Sequence, residues 1–444
     1  MNTASFWHVT VLSNFARAYN KYSRLYSKES LAKSTYPDRF FLLQEGELTI
    51  GIRKAGSFLA RLAIPGNLLI ALRTSVPIAE IQPNTHNGLG QYIHGPAIRV
   101  DSIAFIEENE GTVHLQPVAI EEAIALSFQL LTEELHDYQE IKPRSFSILP
   151  IARGCQASCP FCFSEASASA EQEQARLDLT HLQHFAGEAR ARGAERFVIT
   201  GGGEPGLVRH ELLRKIMEIG RDTFGKTVLI TNGNHLATKS PAQIASHLAD
   251  YAASGLNVLA VSRHHHDDDA SEKLMSLRTH VASIAQAWSS ERERWPSLRM
   301  RFTCVLQRGY VDSMDTFTEY VNWAAQLGVP ELCFKELYVS TSIESVYHRH
   351  AANEWSHANQ VPLSLVLDFA ARHGFTEVDR LPWGSPVFRG IWNGRPMQIA
   401  AYTEPSLLWE RTHGIARSWN QMSDGRCLAS LEDRASEIHL PVTA

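Results

Sequence analysis

The rhythm of apolar and polar positions changes near residue 145. Before it, short alternating runs lie at 39–52, 68–72, 97–106 and 112–120, separated by turn formers such as Pro65-Gly66, Asn87-Gly88 and Gly95-Pro96. Alternation with period two between Gly, Pro and Asn clusters predicts strands and hairpins. Residues 121–140 then carry Ile124, Phe128, Leu131 and Leu135 at helical spacing, until Pro143 ends the pattern. From 146 onward, apolar runs at 146–151, 196–200, 227–231, 256–261, 300–306 and 331–337 alternate with helical stretches near 171–192, 208–223, 241–254, 270–291, 313–327 and 361–373. Six such βα units predict a parallel sheet with right-handed crossovers, and sites in such folds gather at the C-terminal ends of the strands. After about 375 the pattern loosens, with many Gly, Pro and Trp residues. The expected architecture is α/β: a mostly β accessory domain (1–145), a partial (β/α)6 TIM-like barrel (146–375) and a C-terminal cap or extension (376–444).

Composition narrows the class. The chain has 444 residues, 44% hydrophobic and 20% charged, as in a globular enzyme of more than one structural unit. No apolar run reaches the length of a membrane span; 58–69 is broken by Arg61, Pro65 and Gly66. The net charge of −6 gives no general attraction to nucleic acid. Residues 1–15 lack an apolar signal segment, and cysteines are few, which points to a reducing, cytoplasmic setting.

Cysteine placement changes the picture most. Three of the six cysteines, Cys155, Cys159 and Cys162, lie within Arg-Gly-Cys-Gln-Ala-Ser-Cys-Pro-Phe-Cys, just past the first barrel strand. Buried apolar cysteine is one reading. A structural zinc is another, but zinc wants four ligands, and Cys304, Cys333 and Cys427 stand singly and far apart. The third reading is an Fe–S cluster, in which three thiolates leave one iron open to a ligand.

The next three strands end in equally suggestive runs. The second is followed by Gly201-Gly202-Gly203-Glu204-Pro205-Gly206, where glycines admit close approach and a carboxylate could hold an ammonium group. The third ends in Thr231-Asn232-Gly233, and the fourth in Ser262-Arg263, a hydroxyl and a guanidinium suited to ribose and carboxylate. Taken singly, each is equally a tight turn or a surface ion pair. His264-His265-His266-Asp267-Asp268-Asp269 reads as a polar loop with Asp269 capping a helix, rather than as a metal tract. Alternation sends Lys335 and Glu336 to opposite faces without saying which is which.

Taken in order, these motifs resemble the radical S-adenosylmethionine (SAM) superfamily over about 150 to 340, including the aromatic Phe161 before the last cysteine. The resemblance implies a [4Fe–4S] cluster on Cys155, Cys159 and Cys162, with SAM on the open iron. It implies that Gly202, Gly203 and Glu204 hold the SAM amino group, and that Ser262 and Arg263 hold ribose and carboxylate. Thr231 and Asn232 would lie near the ribose or substrate, with Phe161 and the stretch from Val305 to Gln307 at the adenine. The implied chemistry is reductive cleavage of SAM to a 5′-deoxyadenosyl radical that abstracts hydrogen from a peptide or small metabolite. A low-potential donor of flavodoxin or ferredoxin type would supply the electron. A cluster- and SAM-binding protein without radical turnover is the alternative.

Overall fold

The computed structural model describes residues 136–440 except 153, 341–344, 348–349 and 406; before 136 it describes the backbone of seven strands. The expected helix at 121–140 lies outside the described residues as far as 135, and 136–140 are irregular. The chain divides into two compact units, Met1–Leu135 with two short later segments, and the remainder.

The N-terminal unit contains β1 (Trp7–Val11), β2 (Phe40–Gln44), β3 (Thr49–Lys54), β4 (Phe58–Ala63), β5 (Leu69–Thr74), β6 (Ile98–Asn109) and β7 (Thr112–Val118). They form one sheet in the order β2-β5-β6-β1-β3-β4, with β7 also on β6, and every pairing is antiparallel. Alternating runs produce such sheets, because one face of each strand is apolar. The alternation at 39–52 is two strands rather than one, separated by Glu45 to Leu48.

The second unit opens with a two-residue strand β8 (Lys142–Pro143) and continues with β9 (Ser145–Leu149), β10 (Arg196–Ile199), β11 (Thr227–Thr231), β12 (Val258–Ser262), β13 (Arg299–Val305) and β14 (Glu331–Lys335). Helices Leu179–Ala191, His210–Thr223, Pro241–Ala253, Val281–Glu291 and Met314–Gln326 connect them. Then come β15 (Thr376–Arg380), β16 (Pro386–Trp392), β17 (Arg395–Tyr402), β18 (Ile415–Ala416), β19 (Trp419–Met422) and β20 (Cys427–Leu428). The main sheet runs β15-β16-β17-β14-β13-β12-β11-β10-β9-β19-β20. From β19 to β17 every neighbouring pair is parallel. Segments after 375 therefore join the sheet at both edges.

The two faces of this sheet differ. Phe146, Phe197, Phe302 and Phe334 are sealed on one face, where rings pack: Phe302 stacks on Trp323 at 5.0 Å, and Phe334 meets Phe317 tilted at 4.1 Å. That is the helix-covered face. Pairing registers place Ile230 beside Ala260, Ser262 beside Thr303, Val305 beside Lys335 and Lys335 beside Tyr402 on the other. There Ile230, Ser262, Thr303, Val305, Lys335 and Tyr402 are only half-buried. The inner face is thus accessible at the strands' C-terminal ends, where the motif loops lie.

The expected helix at 270–291 is interrupted. Asp268–Met275 ends at Ser276 in the left-handed region (φ 51°), and Val281–Glu291 restarts the pattern. Its cap is Asp267, not the expected Asp269: the Asp267 carboxylate accepts from Ala270 N at 2.8 Å.

Candidate functional site

The cysteine loop follows β9, turning at Gly154 with φ 102°, a conformation that favours glycine. Cys155 is exposed, and Cys159 and Cys162 are partly buried. Cys162 N–H donates to Cys159 O at 3.0 Å, and the loop is tied outward by Ser158 N–H on Met275 O at 2.8 Å. Burial, then the neighbouring Cys162 and Cys155 thiols and Glu165, push Cys159 up to about 12. Burial also raises Cys155 and Cys162. Three thiolates held this close repel one another and need cationic charge to coexist. Among the described residues, no three His, Cys, Asp or Glu side chains gather around a single ion. Three thiols from one short loop suit an Fe–S cluster, in which each thiolate takes its own iron.

The glycine loop is packed against this cysteine loop. Gly203 N–H donates to Ile151 O at 3.2 Å and Glu204 N–H to Gly154 O at 2.9 Å. A Cβ on Gly203 would lie 2.1 Å from Gly154 O, and one on Gly202 2.5 Å from Ile151 O. The glycines are therefore required by the approach of two backbones.

Glu204 is buried, and its carboxylate is engaged inside the protein. Oε1 accepts from Gly206 N at 2.7 Å and from Thr231 Oγ1 at 2.5 Å, while Oε2 accepts from Asn232 N at 2.8 Å. Burial raises its pKa, and these three hydrogen bonds pull it back. The side chain links the loop after β10 to the end of β11. The carboxylate that the resemblance assigns to the SAM amino group is thus also the tie between two loops. Thr231 is consumed in the same link, its hydroxyl also accepting from Gly233 N at 2.9 Å. Asn232 does reach the cysteine loop: Nδ2 lies 3.7 Å from Cys155 Sγ and 3.2 Å from Gln156 Oε1.

At the end of β12 the two expected contacts part. Ser262 is half-buried on the inner face. Arg263 is sealed elsewhere: its guanidinium donates to His265 O at 2.6 Å, His266 O at 3.1 Å, Thr279 O at 3.2 Å and Asp268 Oδ1 at 2.5 Å. It also lies over the Trp323 ring at 5.4 Å. Arg263 organises its own loop through these contacts. The adjacent His264 is buried, and its ring meets Phe161 edge-on at 5.2 Å. Phe161 also lies 5.8 Å from Trp355. Val305 is half-buried at the end of β13, but its N–H is taken by His264 Nδ1 at 3.1 Å. Gln307 is fully buried, and neither Oε1 nor Nε2 has a partner. The Val305 amide is thus engaged by His264, and the Gln307 side chain lies sealed.

A charged wall on the inner face has no motif to announce it. Lys335 Nζ lies 2.6 Å from Glu404 Oε1 and 4.9 Å from the Tyr402 ring, and Arg417 pairs with Glu404 Oε2. Burial works against it, yet Arg417 and then Lys335 hold the Glu404 carboxyl down to about 2. Arg417, Glu410, Glu432, Ser418, Asn420 and Phe163 line a small cavity. Burial pushes Glu410 up to about 8. Glu336 turns the other way, is sealed, and accepts from Thr403 Oγ1 at 3.1 Å. Glu404 and Arg417 lie in the tail, where single charged residues carry no sequence signature; only the strand register places them.

Residues 149–297 match the family model described as the radical SAM superfamily. No curated protein matches the chain. Among solved structures, the chain is similar to Streptococcus suis SuiB bound to S-adenosylmethionine, at 16% identity over 70% of this chain and 65% of that one, with a TM-score of 0.42. Thus it spans somewhat under two thirds of SuiB. It is also similar to Escherichia coli coproporphyrinogen III oxidase, HemN (15% identity; 56% of each chain; TM-score 0.34), and to a radical SAM methyltransferase from Sphaerobacter thermophilus (14%; 66% and 72%; 0.30). The superfamily uses a [4Fe–4S] cluster and SAM. Residues 149–297 therefore carry a radical SAM domain.

Proposed function

We propose that this protein is a radical SAM enzyme that modifies an organic substrate, a peptide or a small metabolite, by hydrogen-atom abstraction. The observation that carries this reading is the meeting of three motif loops at one sheet end. The cysteine loop is bonded to the glycine loop through Gly203 and Glu204, and to the Thr231-Asn232 turn through Asn232. Cys155, Cys159 and Cys162 would hold the cluster, and Ser262 and Phe161 would contact SAM. When bound, these two groups supply one-electron cleavage of the sulfonium and a radical able to attack an unactivated C–H bond.

The chain's own residues shape the rest. Glu204 and the glycines fix the loops, so that the ligand cysteines are set before the cofactors arrive. Lys335, Glu404 and Arg417 form a polar wall for substrate, on the same face of the sheet as the apolar Val228, Val258 and Ala260. The N-terminal antiparallel sheet is assigned to substrate recruitment. A low-potential flavodoxin or ferredoxin would deliver the electron, in the cytoplasm. Among the described residues no helix is long and apolar enough to cross a membrane.

The test is anaerobic reconstitution with iron and sulfide, then dithionite and SAM, with 5′-deoxyadenosine as the readout. A cluster-loaded preparation that yields none would overturn turnover. Serine at Cys155, Cys159 or Cys162 should abolish the brown chromophore, whereas serine at Cys304 or Cys427, both buried in strands, should not.

A further inference from the structure

We propose that His264 reads the nucleobase of bound SAM, its Nε2–H donating a hydrogen bond to a ring nitrogen of adenine. The inference rests on the SAM-binding reading above and concerns a side chain that the motif pattern left in a polar tract.

The tautomer follows from the structure. Val305 N–H donates to His264 Nδ1 at 3.1 Å, so Nδ1 is an acceptor and the ring proton sits on Nε2. Burial, then Arg263 and Lys335, push the imidazole down to about 3, so it is neutral throughout the physiological range. The backbone is held too, because His264 O accepts from Cys304 Sγ at 3.6 Å. The ring is therefore a fixed, neutral, single donor.

Its location places the ring beside the cysteine loop. His264 follows the inner-face residue Ser262 by two, and its ring edge meets Phe161, the residue before Cys162. Phe161 is flanked in turn by Trp355. Phe161 and Trp355 beside an imidazole, next to the cysteine loop, suit a flat heteroaromatic ring. No described group accepts from His264 Nε2–H, although the residue is only 4% exposed. That nitrogen is not among the sealed unpaired atoms, so it opens onto space where an acceptor can reach it. Adenine presents ring nitrogens as acceptors, whereas its exocyclic amine is a donor and would be refused. The Val305 N–H, spent on the imidazole, is no longer available to the base; the imidazole extends that donor from main chain to side chain.

The test uses cluster-loaded protein and S-adenosylhomocysteine with its 1-deaza, 3-deaza and 7-deaza analogues, measured by calorimetry. In the wild type, one analogue should bind about tenfold more weakly than the parent, because one hydrogen bond is lost. His264→Asn keeps an acceptor for Val305 N–H but cannot reach the base. That variant should bind parent and analogue alike, at the weakened level, and His264→Gln should recover part of the difference. If all three analogues match the parent in the wild type, the proposal fails, whether or not the variants fold. A penalty that persists in a folded His264→Asn protein also overturns it. Absence of any binding by the parent compound would overturn the SAM reading itself, and the proposal with it.

Discussion

Replacing Glu204 separates a structural carboxylate from a ligand-binding one. Its three partners, Gly206 N–H, Thr231 Oγ1–H and Asn232 N–H, all donate, so the group acts purely as an acceptor at a buried position. Glu204→Ala strands these donors and leaves a void, while relieving the burial of a charge. Donors left unpaired in the interior cost about 1–3 kcal/mol each, and the relieved charge offsets part of that. A net loss of about 3–5 kcal/mol follows, or roughly 6–10 °C in melting temperature at about 2 °C per kcal/mol for a unit of this size. Glu204→Gln retains one acceptor oxygen but turns an amide N–H2 toward a donor, costing about 1–3 kcal/mol. The assay is anaerobic thermal unfolding of the metal-free protein, followed by iron content after reconstitution. Melting should fall in the order wild type, Gln, Ala, and iron uptake should fall with it, because the glycine and Thr-Asn loops are no longer linked. If Glu204→Ala melts within about 1 °C of wild type while SAM affinity alone drops, the carboxylate is a ligand contact and the reasoning is refuted.

Gly203→Ala should lower both melting temperature and iron content, since its Cβ would meet Gly154 O at 2.1 Å; Gly187→Ala, with nothing within 4 Å in an exposed helical position, should stabilise by about 0.5–1 kcal/mol. Normal iron loading in Gly203→Ala would contradict the packing argument. Glu404, held down to about 2 between Arg417 and Lys335, contributes stability that is present above about pH 4.5 and is lost as pH falls toward 2. Acid unfolding followed by circular dichroism should therefore begin at higher pH in a Lys335→Met variant, and an unchanged midpoint would count against the pair. Gln307→Met should melt at or above the wild-type temperature and leave SAM affinity intact, because the sealed amide has no partner to lose; a fall in affinity would return Gln307 to the adenine site.

The barrel strands were legible because each is a short apolar run between turn formers, and β11 matches its expected limits of 227–231. The cysteine loop stands out in the sequence because three thiols fall within eight residues. Side-chain direction was harder to read. Arg263 looks like an anion anchor until the loop carbonyls of His265, His266 and Thr279 are seen to occupy it. Glu204 looks like a free carboxylate until the next strand end supplies Thr231 and Asn232. Both sets of partners come from other segments, which a linear motif does not display. The wall of Lys335, Glu404 and Arg417 was invisible for the same reason: its members come from positions far apart in the chain, joined only by register and loop path.

The pairing of β9 with β19 bears on the order of events during synthesis. Phe146 lies beside Trp419 and Leu149 beside Met422, so the strand that feeds the cysteine loop is flanked by β10 on one side and by a segment made some 270 residues later on the other. While the chain emerges from its N-terminus, β9 is an open edge, and the loop beyond it lacks one wall. Arg417 and Ser418, which line the cavity beside Phe163, arrive with that same late segment. The inner face is thus finished last, well after Cys155, Cys159 and Cys162 have left the ribosome. That leaves an interval in which the thiols are reachable from the side, and closes it with the strand that completes the sheet.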